Sequence, residues 1–187
     1  MNLEKQMEYE KQVELQIKET GAALRVLLGY GKELAEEGAA NHDKLKVLKR
    51  FSQNLACFYC VEGHEFESDS LIQEKYVKPY ERLLAGEKDA LSGIDYEQIS
   101  EENVDMFLAA INRYRQEMSD DYHPVYDADI RYCTDIMKVM AQQCGNEDVC
   151  KKLQSVWEEN QRQENGQMEN EPGGMAEEQT GVITQGM

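Results

Sequence analysis

An all-α fold, a single bundle of five or six helices followed by a disordered acidic C-terminal tail, is what the sequence predicts, and three observations predict it. Apolar residues recur at steps of three and four through most of the chain and nowhere alternate for long with the period of a strand. A length of 187 residues suits one domain, able to bury roughly two thirds of its unfolded surface. The closing stretch "ENGQMENEPGGMAEEQTGVITQGM" loses all periodicity and turns to Gln, Glu, Asn, Gly and Met, too polar to offset the entropy of ordering it. Residues 1–163 are therefore expected to form the bundle and residues 164–187 the tail.

The elements follow in order. Leu3, Met7, Val13, Ile17, Leu24, Leu27 and Leu34 mark a first helix to about Gly38, with Gly21, Gly29 and Gly31 as possible interruptions. Its early part, Met1 to about Glu19, either packs along the bundle or projects. Asn41 has the chemistry of an N-cap for a second helix carrying Leu45, Leu48, Phe51, Leu55 and Phe58, which Gly63 should stop. Ser70 and Gln73 resemble a capping box, opening a helix bent at Pro79 and ended by Gly86. "EKDALSGIDYEQI" has room for one short turn. Ser100 should cap a helix striped by Val104, Phe107, Leu108, Ile111, Tyr114 and Met118. Asp127 or a neighbour begins the next, on which Ile130, Cys133, Met137, Met140 and Cys144 form a packed seam. Asn146 caps the last, with Val149, Leu153, Val156 and Trp157 facing inward. The expected core gathers Leu24, Leu27, Leu48, Phe51, Leu55, Phe107, Ile111, Ile130, Met137, Met140, Leu153 and Trp157.

Charge narrows the function classes. Thirty-seven acids against twenty bases give a net charge of −17, which repels phosphate backbones and disfavours direct nucleic-acid binding. An acidic chain can instead mimic a nucleic acid and occupy another protein's site. No window approaches the ~18 apolar residues of a membrane span, and "MNLEKQMEYEKQ" is charged where a signal peptide is apolar. A cytoplasmic location is expected, with the five cysteines as free thiols.

One array has ligand chemistry. Cys57, Cys60 and His64 stand as C-x2-C-x3-H in "LACFYCVEGHEF", and C-x2-C is a common half of a structural zinc site. On a helix started at Leu45 they project to roughly 120°, 60° and 100°, opposite the apolar stripe. The fourth ligand is missing: His42 lies roughly 22 Å back along the same helix, so His123 or Cys150 would have to come round. Leu55 to Val61 also reads as a buried helix end, where cysteine acts as a small hydrophobe. Buried thiols and no cofactor are the expectation; zinc is the alternative.

Three other features invite a role. Lys46, Lys49 and Arg50 form the one basic clump and oppose the helix dipole, either paired internally or offered as a docking stripe to an acidic partner. Asp120, Asp121, His123, Asp127 and Asp129 suggest a hard cation or acid–base chemistry, but they lack the Gly and terminal Glu of an EF-hand and suit helix capping. No Glu-x-x-His pair, phosphate loop or nucleophile elbow occurs. The expected function is thus a non-enzymatic interaction or regulatory protein, with a partner protein or self-association engaging the first helix. A small zinc protein and an acidic nucleic-acid mimic stand as alternatives.

Overall fold

The computed structural model describes residues 2–61, 69–120 and 124–170. Among them every regular element is helical, as the 3.6-residue periodicity requires. The order is α1 (Leu3–Glu37), a 3-10 turn (Ala39–Asn41), α2 (His42–Val61), α3 (Asp69–Ile72), a π turn (Gln73–Val77), α4 (Lys78–Leu84), α5 (Val104–Asp120), α6 (Pro124–Gln143) and α7 (Glu147–Asn170). No described helix is long and apolar enough to cross a membrane.

α1 is one unbroken helix at the centre of the bundle. From Thr20 to Gly31 every residue but Arg25 is buried, because α2, α4 and α5 pack around it. Its glycines are seats for neighbours and not interruptions. A Cβ on Gly31 would stand 2.8 Å from the Tyr80 ring and 3.2 Å from Leu48, and one on Gly29 would stand 2.2 Å from the Glu97 carbonyl oxygen. The helix loses about 1 kcal/mol of propensity at each glycine and gains the close approach of α4 and of the 94–103 segment.

The caps explain the boundaries. Asn41 sits just before α2, but its amide closes the preceding helix, donating to the Leu34 carbonyl at 3.0 Å and to the Glu37 carboxylate at 3.1 Å. Pro79 has no N–H to give and its ring crowds the preceding turn; the chain widens into the π turn immediately before it. Gly86, at φ +72°, ends α4 in a Schellman motif, with Glu87 N–H bonded to Arg82 O and Gly86 N–H to Leu83 O, both at 3.1 Å. The N-terminus of α5 lies later than Ser100: residues 101–103 form a turn, and buried Asn103 holds it by accepting from Ser100 N–H and donating to Gln98 O, both at 2.8 Å. α6 starts at Pro124, where a missing N–H costs nothing, and not at Asp127. Asn146 caps α7 as expected, accepting from Asp148 and Val149 N–H at 3.0 and 3.2 Å.

One core runs through the bundle. Leu24, Leu27, Leu48, Phe51, Leu55, Phe107, Ile111, Met137, Met140 and Leu153 are all buried in it, and Phe51 meets Tyr114 edge-on at 5.3 Å. Tyr80 ties three helices together, its ring against α1 and its hydroxyl sharing a 3.0 Å hydrogen bond with Ser52 on α2. Trp157 departs from expectation. It is half-buried on the α6–α7 edge, with the Lys138 ammonium 4.8 Å from its ring centroid. α7 continues to Asn170, past the residue 163 boundary expected for the tail; residues 171–187 lie outside the described residues.

Candidate functional site

The sequence-predicted residues are scattered over the fold. Cys57 and Cys60 fall within α2, but their side chains, like His64 and His123, lie outside the described residues. Asp120 ends α5, Asp127 and Asp129 lie in the first turns of α6, and Asp121 and His123 lie outside the described residues. Among the described residues no three His, Cys, Asp or Glu side chains converge as a metal site. The basic clump is engaged within the chain. Lys49 reaches Glu81 on α4 at 3.0 Å, Lys46 stands 4.0 Å from Asp43, and Arg50 is exposed.

Two features have the form of sites. The first is the amino-terminal half of α1. Leu3, 72% exposed, and Met7 share one face of it, and Tyr9 and Leu15 are exposed on two other faces. The body begins where Glu19 meets Arg113 of α5 at 2.7 Å, in a largely buried ion pair. At 1.5 Å per residue the free portion before that pair extends about 24 Å.

The second is a cleft of about 590 Å³ between α1, the 94–103 segment and the α6–α7 turn. A strap forms its near wall. Glu97 fastens that strap to α1 at two points, its N–H donating to the Arg25 carbonyl at 3.1 Å and its carboxylate accepting from Arg25 Nε at 3.2 Å. Gly29 leaves the room this crossing needs. The lining holds Glu33, Glu101 and Glu102 and no Lys, Arg or His. Burial and then Glu37 and Glu36 push the Glu33 carboxyl above the ordinary carboxylate range, and burial with Glu37 and Glu33 raises the Tyr30 phenol.

Cys144 belongs to this cleft. The sequence seam predicts a core residue, and Cys133 is one, but Cys144 follows the last residue of α6 and is only half-buried in the cleft wall. Its Sγ donates to Asn146 O at 3.4 Å, and Cys150 Sγ donates to Cys144 O at 3.0 Å. Burial first, then the Cys144 thiol, raises the Cys150 thiol. Cys150 therefore lies against Cys144. A smaller groove of about 500 Å³ at the root of the free α1 half is lined by Ile17, Lys18, Tyr76 and Met106 among others.

Sequence reasoning missed the cleft because its walls come from residues near 30, 100 and 144, joined only by the fold. The available signal was local: two cysteines six apart across a helix break, and two glycines inside an otherwise helical run. No protein-family model, curated protein or solved structure matches this chain.

Proposed function

We propose that the protein is a non-enzymatic docking protein, which inserts the free half of α1 into an apolar groove on a partner protein. The observation that carries this is the exposure of Leu3, Met7, Tyr9 and Leu15 on a helix that from Thr20 to Gly31 is buried at every residue but Arg25. Leu3 and Met7, four residues apart on one face, have the i, i+4 spacing of helix-in-groove anchors, and each gains about 1.5–3 kcal/mol on full burial. The partner's groove should be rimmed with bases. Glu4, Glu8, Glu10 and Glu14 interleave with the anchors, and the chain as a whole carries −17, so a basic rim is both steered in and paired. A second copy of this chain is the less suitable occupant: two arms side by side bury on the order of 800 Å², short of the ~1,200 Å² of a stable interface, and each copy repels the other.

Photo-crosslinking from position 7 in native extract identifies the groove's owner, and titration of the purified pair measures it. The expected result is a Kd weakened at least about tenfold by Leu3→Glu with Met7→Glu, at unchanged melting temperature. A pure chain that is monomeric and crosslinks to nothing, or an affinity indifferent to both substitutions, overturns the reading. A dimer dissolved by the same substitutions places a second copy on the arm and rejects the partner's groove.

A further inference from the structure

We infer that Cys144 and Cys150 form a dithiol exchange site in the wall of the acidic cleft, which takes small cationic disulfides and closes to an internal disulfide. Three observations meet here. The two cysteines meet across the α6–α7 turn, with Cys150 Sγ 3.0 Å from the carbonyl of Cys144 itself. A Cβ on Gly145 between them would meet nothing within 4 Å, so no neighbour packs against the turn at that point to oppose the shift a sulfur–sulfur bond requires. Cys144 lines a cleft of about 590 Å³, so a small disulfide reaches its sulfur without local unfolding, whereas Cys133 is fully buried and serves as an internal control.

The cleft chooses the class of disulfide. Glu33, Glu101 and Glu102 line it without a cation among the lining residues; the nearby Lys152 ammonium is held by Asp105 at 2.9 Å. Tyr30, 6% exposed, lies in the same wall, its phenol raised by burial and then by Glu37 and Glu33, so the wall is acidic on that side as well. A disulfide bearing amines is attracted, and one bearing carboxylates is repelled.

The exchange balances without a further reactant. The Cys144 thiolate attacks one sulfur of the small disulfide; that sulfur–sulfur bond breaks and one aminothiolate leaves and takes up a proton. Cys150 then loses its proton and attacks the Cys144 sulfur, and the second aminothiol leaves. Two small thiols are formed for one protein disulfide, and the protein is the species oxidised. Cys150, raised by burial and its neighbour, is suited to the second step, where it stays protonated until a sulfur is presented.

Stopped-time alkylation and peptide mapping of the full chain test this with three probes: bis(2-aminoethyl) disulfide, bis(2-hydroxyethyl) disulfide and oxidised glutathione. The expected end product of the amino disulfide is a chain lighter by two hydrogens, with Cys144 joined to Cys150 and Cys133 untouched. Cys150→Ser should stop at a stable adduct on Cys144. Glu101→Gln with Glu102→Gln, both at exposed positions, should slow the amino disulfide by about fivefold at low salt, leave the hydroxyethyl probe unchanged and speed the glutathione probe. Persistence of the mixed adduct in the unaltered chain overturns the pairing. Equal effects of the glutamine variant on all three probes overturn the role of the cleft, and absence of reaction at Cys144 overturns both.

Discussion

Gly29→Ala adds one methyl group where the strap crosses α1, and its consequence can be worked from the geometry. The new Cβ would stand 2.2 Å from the Glu97 carbonyl oxygen and 3.0 Å from its carbon, about 1 Å inside van der Waals contact. Both atoms are backbone, so no side chain can swing aside and the strap must lift. Lifting it strains or breaks the 3.1 Å bond from Glu97 N–H to Arg25 O, which is worth about 1 kcal/mol. The half-exposed Arg25–Glu97 ion pair adds no more than about 0.5 kcal/mol after solvent screening, and overpacking adds about 1–3 kcal/mol. Alanine returns about 1 kcal/mol of helix propensity. The net expectation is a loss of about 1–3 kcal/mol. Gly31→Ala is the graded comparison: it meets the Tyr80 ring and the Leu48 methyl, side-chain atoms, and should lose about 1 kcal/mol or less.

Urea titration by far-ultraviolet circular dichroism measures both variants, with the slope checking that the unfolding transition is unchanged. A Gly29→Ala chain as stable as the parent, or more stable, would refute the reasoning. Propensity alone predicts that outcome, so it would mean the strap does not rest on α1 at this point. With the strap lifted, the cleft wall moves as well. The same variant should lose the preference of Cys144 for the amino disulfide.

Three further outcomes follow from the fold. Glu33→Gln should raise the melting temperature at pH 7 and leave it unchanged near pH 3.5: the folded carboxyl sits above its unfolded value, so its ionisation works against the fold, and that penalty disappears once pH falls below the unfolded pKa of about 4.3; an equal gain at both pH values rejects the assignment. Asn146→Ala should cost about 1 kcal/mol by removing the cap of α7, read as a shift in urea midpoint, and no shift would show that the cap is not made. Ser52→Ala and Tyr80→Phe should each cost about 1–2 kcal/mol, since each strands a buried hydroxyl; the double variant should cost less than the sum, and strict additivity would deny the hydrogen bond.

Periodicity made most of the helices legible. Leu48, Phe51, Leu55, Phe107, Ile111, Met137 and Leu153 are buried where their spacing places them, because an amphipathic stripe has one way to leave water. What the spacing could not reveal is how many sides of a helix are covered. α1 lies between several neighbours, and a helix so placed needs small residues for close approach, which propensity reads as weakness. Gly29 and Gly31 therefore look like interruptions in the sequence and are contact points in the fold. Asn41 departs from its sequence reading for a related reason, whereas Asn146 caps α7 where the sequence places it. Asn41 stands between two helix ends, and tertiary geometry decides which it serves.

The cleft repeats this at longer range. Seating the strap on Gly29 holds the segment that runs on to Glu101 and Glu102, and these stand across the cleft from Tyr30 on α1 and Cys144 after α6. The absence of a side chain at position 29 is thus a condition for three carboxylates and a thiol to share one wall system. A glycine that local rules count as a cost of about 1 kcal/mol sets the geometry of the acidic cleft of about 590 Å³, and the charge selectivity argued for the thiol pair depends on it.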